Sequence, residues 1–230
     1  MSLRSYLKEE FANAKAQMSE LEGYAKWQFL WDYYKLWIIG AVCLVGFLIY
    51  FPVARAMTPN DNWFYITIAN TQADSGANSA IQKDFTAYSG YDPKEKNVYF
   101  NDNCYFDPAD ERYNAYYTSF VAYVDAGTLD LIAMERDDLE LLGTRGRLLD
   151  LSRPEAAEIM EKYEDRLIYA LPVDTEYSTE PVPIGIDLSD TVLVTKYHLY
   201  TDTCAVGLSA NVPHMDAVLK FLAFATEDAQ

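Results

Sequence analysis

Two histidines, His198 and His214, are the chain's whole supply of imidazole. Neither stands in an H-E-x-x-H motif, and the three cysteines (Cys43, Cys104, Cys204) form no Cys-x-x-Cys pair. GLSAN over 207–211 offers a serine but lacks the last glycine of G-x-S-x-G, so the sharp turn that presents a serine nucleophile is not encoded. GTRG over 143–146 lacks the spacing and the Lys-Ser/Thr of a phosphate loop. His198, beside Tyr197 and near Tyr200, reads as a packed strand residue. The loop NDNCYFDPADE (101–111) gathers Asp102, Asn103, Asp107, Asp110 and Glu111, oxygen donors of the kind calcium takes. The glycine of an EF-hand loop is missing, however, and Asp107-Pro108 followed by acids also spells a helix start, with an Asp cap, Pro in the first turn and negative charge at the dipole's positive end. These residues predict a protein that is not an enzyme and carries no cofactor or metal.

Two further residue sets carry weaker chemistry. Cys104 and Cys204 are a possible disulfide, closing a loop whose constraint on the unfolded chain is worth at most about 4–5 kcal/mol. Tyrosines are abundant, 19 in all, and aromatic rings stack on sugars or seat in protein grooves. The spacing of Tyr113, Tyr116, Tyr117 and Phe120 is helical, which predicts core packing for them.

The elements that must position these residues begin with an anchor. Leu36 to Val53 is an uncharged run containing eleven Leu, Ile, Val or Phe residues. As a helix it spans roughly 27 Å, close to the ~30 Å of a hydrocarbon core, and those side chains favour insertion by roughly 3–7 kcal/mol. A buried soluble helix would keep a polar stripe, and this run has none. Trp27, Trp31, Tyr33, Tyr34 and Trp37 precede or open the run, Lys35 sits among them, and Tyr50 lies near its far end. Such rings favour the headgroup layer, and a lysine there reaches phosphate while its stem stays in hydrocarbon. These seven residues are the expected membrane anchor. Ala54-Arg55-Ala56 has the form of a signal-peptidase site, but the run is longer than a signal core and 35 residues precede it, which favours an uncleaved anchor.

Charge gives the direction. Residues 1–35 hold five basic and five acidic groups, so the whole net charge of −17 lies beyond the run. Only Arg55 is basic in the 29 residues that follow Val53. The positive-inside rule then predicts a single-pass protein of the cell membrane, its N-terminus cytoplasmic and its C-terminal domain extracytoplasmic. That acidic balance argues against nucleic acid. Residues 1–35 predict a cytoplasmic amphipathic helix leading into the transmembrane one. Its stripe Leu7–Phe11–Ala14–Met18–Leu21–Ala25 suits a partner helix, a second copy or the inner leaflet, and Gly23 weakens it.

After a linker at 54–62, residues 63–230 predict one α/β domain with a mostly parallel sheet. Strands are expected at 63–69, 97–100, 129–134 and 204–210. Helices are expected at 79–90, from Asp107 to near Gly127, at 137–143, 154–167 and 214–228. The stretch 168–211 is rich in strand and turn signals, with Pro172, Pro181 and Pro183.

A family resemblance rests on two segments. In DAGTLDLIAMERDDLELLGTRGRLLDLS (125–152), a helix ends at Gly127, Asp130-Leu131-Ile132 follows as a strand, and Gly146 to Leu151 form a G-x-L-x-DL-like stretch. The tail CAVGLSANVPHMDAVLKFLAFAT (204–226) has a strand, Ala210-Asn211, and a helix carrying Lys220-Phe221-Leu222. Both resemble one lobe of extracellular solute-binding proteins. WDYYKLW ahead of a span resembles single-pass envelope proteins of Gram-positive bacteria that bear such a domain. Only 52 residues separate Leu151 from Cys204, which leaves no room for the second lobe, so no ligand residue transfers. The expected function is a membrane-anchored outer domain that binds a protein partner, such as a transporter or envelope complex. The alternative is capture of a small solute as a transporter accessory.

Overall fold

The computed structural model describes Ala12, Ala16 and residues 22–57, 61–92, 95–110, 114–171 and 180–227. The chain divides into two units, Met1–Thr58 and Pro59–Gln230. In the first unit, helix α1 (Tyr24–Met57) runs through Pro52 without stopping. Its segment Tyr34–Arg55 is long and apolar enough to cross a membrane, and none of that apolar window is buried in the molecule. That segment contains the expected 36–53, and the helix begins within the 1–35 segment expected to lead into it. Gly23, at φ 61°, adopts a left-handed turn that separates α1 from what precedes it. Of the stripe from Leu7 to Ala25, only Ala25 lies among the described residues.

The second unit is an α/β domain. Among the described residues its sheet has six strands: β1 (Asp61–Ile68), β2 (Lys96–Asn101), β3 (Leu131–Met134), β4 (Leu167–Ala170), β5 (Val182–Asp187) and β6 (Ala205–Leu208). Their order is β2-β1-β3-β6-β5-β4. β1 pairs in parallel with β2 and β3, whereas β3–β6, β6–β5 and β5–β4 are antiparallel. The sheet is thus mixed, which corrects the expectation of a mostly parallel one. Connection length accounts for the β4–β5 pair. Parallel neighbours need a crossover of about a dozen residues or more, usually helical. Helices α2 (Ala80–Ser89) and α3 (Ala115–Asp125) supply it in the first half. Between β4 and β5 there is only 171–181, ending in Pro181, so the chain turns back beside itself.

Local signals explain most boundaries. Ser79 caps α2, its hydroxyl accepting from the Gln82 amide at 3.3 Å, and Gly90 ends it at φ 72°. The helix expected from Asp107 starts only at Ala115. Asp107 instead accepts from the Ala109 amide at 2.7 Å and holds a turn, while Asn114 caps α3 by accepting from the Tyr117 amide at 2.8 Å. The helix expected at 154–167 is broken into a 3-10 turn at Pro154–Ala156, α5 (Ala157–Lys162) and a second 3-10 turn at Glu164–Arg166, which hands the chain to β4. After β5 come the one-turn α6 (Val192–Thr195) and, following β6, the closing helix α7 (Met215–Glu227).

The strand period of two sorts side chains onto two faces. Phe64, Ile66 and Ile68 of β1 join Phe85 of α2 and Phe221 and Phe224 of α7 in one cluster. Tyr65 joins Tyr117, Phe120 and Val124 of α3 and Leu139 and Leu142 of α4 (Arg136–Gly143) in the other. An extra residue at Trp63, relative to β2, puts Trp63 and Phe64 on the same face. Helix α4 lies close on the antiparallel half because glycines make room for it. A Cβ on Gly185 would fall 2.6 Å from Leu139 Cδ2 and 2.9 Å from the Val206 carbonyl oxygen.

Candidate ligand pocket

Helix α3 packs on the Tyr65 face of the parallel half of the sheet. Tyr117, Phe120 and Val124 point into the core, and Tyr116, Ser119 and Tyr123 occupy the flanking stripe, over the β1–β2 edge. Beneath that stripe is a pocket of about 280 Å³. Its floor is set by register: Tyr65 of β1 stands opposite Tyr99 of β2, and Thr67 opposite Asn101. Asn103 continues the same alternation beyond the strand. Tyr116 is thus a pocket residue, 39 % exposed, where its spacing predicted core, while Tyr117 and Phe120 are core as expected. Tyr113 lies outside the described residues.

Four phenol rings shape the space. Tyr65 meets Tyr99 edge to face at 4.9 Å and Tyr123 at 5.4 Å between centroids, and Tyr116 closes the side. Burial, with Tyr123 alongside, pushes the Tyr65 phenol far above its ordinary pKa, so it stays a neutral donor. The polar groups are amides and hydroxyls. Asn101 Nδ2 reaches the Tyr65 hydroxyl only at 3.5 Å. Thr67 Oγ1, on a residue 1 % exposed, makes no hydrogen bond among the described residues, although the Tyr65 hydroxyl is near it. Among the described residues that line the pocket, none is acidic or basic. Asp102, between Asn101 and Asn103, turns the other way. Its carboxylate accepts from the Ser75 amide at 3.2 Å and occupies the space a side chain on Gly76 would need.

The structure separates the other candidates. Asp102 and Asp107 are engaged in separate loops, Glu111 lies outside the described residues, and among the described residues no group of three His, Cys, Asp or Glu is placed to hold a metal. His198 is exposed at a left-handed turn, φ 52°, rather than in a strand. His214 precedes α7, and its backbone amide and ring Nδ1 approach the Asp130 carboxylate at 2.9 and 3.2 Å. Asp130 is fully buried and also accepts from the Tyr65 amide at 2.8 Å. Burial raises its pKa against the pull of these donors. Ser209 of GLSAN is buried just after β6.

In a sheet of this winding, ligands customarily enter at the carboxyl ends of strands whose connections diverge, here β1 and β3. That crevice, lined by Asn70, Glu135, His198 and Tyr200 among others, measures about 550 Å³. Its floor is sealed: the buried Tyr200 hydroxyl lies 2.6 Å from the Ala69 carbonyl oxygen and 2.8 Å from that of Ala133, tying the two strand ends together.

Trp27, Trp31, Lys35, Trp37 and Tyr50 are exposed on α1, Tyr34 is half-buried, and Tyr33 lies in the same helix. Cys104 and Cys204 are free, buried thiols that pack on opposite faces of the sheet. Burial pushes the Cys104 thiol up to about 12 and raises that of Cys204 as well. Thiolate is the reactive form. A water-soluble maleimide at pH 7 should therefore leave both residues unmodified in the native protein and label both on unfolding without reductant. Labelling that requires a reductant, read peptide by peptide by mass spectrometry, would mean that they are bonded.

The two halves of the pocket come from strands about 35 residues apart. Tyr99 falls in the expected strand 97–100 and Asn101 and Asn103 in the acidic loop, and no local signal pairs them with Tyr65 and Thr67. Comparison of the chain with protein-family models, curated proteins and solved structures finds no match.

Proposed function

We propose that this chain is a single-pass membrane protein whose extracytoplasmic α/β domain captures a small uncharged ligand, without catalysis, as an accessory to a transporter or envelope complex. The observation that carries this reading is the pocket under α3. Its tyrosine rings, convergent amides and hydroxyls, with no charged side chain among the described lining residues, suit a small polar molecule. The apolar helix Tyr34–Arg55 supports the anchor, and the excess of basic residues before it supports a cytoplasmic N-terminus. The likeness of 125–152 and 204–226 to one lobe of solute-binding proteins points the same way. A protein partner is the second reading, favoured by Tyr99, Tyr105, Tyr116 and Tyr123, each 38–47 % exposed, because tyrosine is enriched at protein interfaces.

Blocking the pocket from its rim tests the proposal. Ser119 is exposed on α3, so Ser119→Trp fills the cavity without disturbing the core. Full-length protein and this variant are purified from gently solubilised membranes, and small molecules released on denaturation are compared by mass spectrometry. A compound enriched on the wild type and lost from the variant is the expected result. Identical small-molecule profiles, with a protein partner lost from the variant instead, would replace ligand capture with the second reading. Protease added to intact protoplasts should digest residues 55–230 and spare 1–35; a protected C-terminal domain would overturn the topology.

A further inference from the structure

We infer that the ligand of the pocket beneath α3 is a neutral carbohydrate, one pyranose ring of which seats between the tyrosine rings and the β1–β2 floor. The inference rests on the pocket being a binding site and goes further by naming the ligand's chemistry.

The first observation is electrical. The chain carries a net charge of −17, yet among the described lining residues no side chain is charged. Against these described residues a phosphate or carboxylate would find no cation, and an ammonium no carboxylate, and burying an unpaired charge is costly, which favours an uncharged ligand.

The second is the arrangement of rings. Tyr99 and Tyr123 flank Tyr65 edge to face, and Tyr99, Tyr116 and Tyr123 are each more than a third exposed. An aromatic face is electron-rich, and its complement is a surface of polarised C–H groups. The C–H face of a pyranose is such a surface, because each carbon bears an electron-withdrawing oxygen. A purely aliphatic ligand would satisfy the rings and leave the polar groups unmatched.

The third is the set of polar groups. Asn101 and Asn103 offer amides, and Thr67 and Ser119 offer hydroxyls. Each amide has both donors and an acceptor, and each hydroxyl is both at once. Vicinal hydroxyls on a sugar ring have the same dual character. Ser119 Oγ donates to the Ala115 carbonyl at 2.9 Å and keeps its lone pairs. Among the described residues Asn101 Nδ2 makes only the long 3.5 Å contact, while its Oδ1 accepts from the Asn103 amide at 3.2 Å. Thr67 Oγ1 is buried with the Tyr65 hydroxyl near it but no well-formed hydrogen bond among the described residues. Buried hydroxyls are ordinarily bonded, and a ring hydroxyl on the floor would supply a well-aligned partner.

The fourth is size. About 280 Å³ falls just below the roughly 300–1,000 Å³ of small-ligand sites. It holds one ring, so further units of an oligomer would extend past the tyrosine rim.

The test uses full-length protein in a detergent without sugar headgroups. Neutral hexoses, N-acetylhexosamines and their short oligomers are titrated, with isothermal calorimetry and saturation-transfer NMR as readouts. Inorganic phosphate, free amino acids, end-blocked uncharged peptides and nucleosides form the comparison panel. At least one saccharide should bind, phosphate and amino acids should not, and Ser119→Trp should abolish the signal. Thr67→Val, which keeps shape and removes one hydroxyl, should weaken binding about three- to tenfold, the share of one hydrogen bond, at an unchanged or higher melting temperature. If saccharides bind equally to both variants, the seat is elsewhere and the inference falls. A peptide or nucleoside that binds in place of saccharides and is blocked by Ser119→Trp would overturn the carbohydrate and keep the pocket as a site. No binding across the whole panel would overturn both.

Discussion

Replacing Asp130 with alanine is expected to lower the stability of the α/β domain by about 3–5 kcal/mol, the combined cost of the buried donors it leaves unpaired. Asp130 is fully buried. Its carboxylate accepts from the Tyr65 amide at 2.8 Å and the His214 amide at 2.9 Å, with His214 Nδ1 at 3.2 Å. The side chain thereby ties β1 to the first turn of α7 from the start of β3. Alanine would strand two backbone donors in the interior, each costing about 1–3 kcal/mol unsatisfied. For a domain of this size the melting temperature should fall by about 6–20 °C, at about 2–4 °C per kcal/mol. Asp130→Asn keeps one acceptor oxygen and should lose markedly less. Thermal and urea unfolding of the two variants in parallel gives the comparison. An Asp130→Ala protein within about 1 kcal/mol of wild type would mean that these donors find other partners.

The second large effect concerns the anchor. With Leu44→Arg and Val45→Arg together, the protein should move from the carbonate-resistant membrane fraction to the soluble or loosely bound one. Both positions lie at the middle of Tyr34–Arg55 and are exposed on α1. Each central arginine costs about 2.5–3.5 kcal/mol, and the pair cancels most or all of the roughly 3–7 kcal/mol supplied by the apolar residues. Conservative swaps at the same two positions, Leu44→Ile and Val45→Leu, should change nothing. If the double-arginine protein still pelleted after alkaline extraction, α1 would not be what holds it.

How much of this was legible in the residues follows from how local each signal is. The apolar run announced α1. Gly90 marked the end of α2, and the β-rich apolar run WFYITIA marked β1, because caps, turns and β propensity act within a few residues. Asp107-Pro108 misled for a physical reason: an aspartate before a proline suits a helix start and an Asx turn equally, and only tertiary packing decided for the turn. The antiparallel half depends on which strand β6 joins, a long-range pairing that no local period encodes. The pocket needed still more, since it exists only once the Tyr65–Tyr99 register and the placement of α3 over it are both set.

Tyr200 has a consequence for anyone who would redesign this scaffold. In sheets wound this way the divergence point of the connections is the seat that evolution has most often furnished, and here a phenol floors it beneath two carbonyl groups. Trimming that phenol would deepen the crevice beside Asn70, at the same carboxyl end of β1 from which Thr67 serves the tyrosine pocket, so the two spaces would be neighbours on one strand.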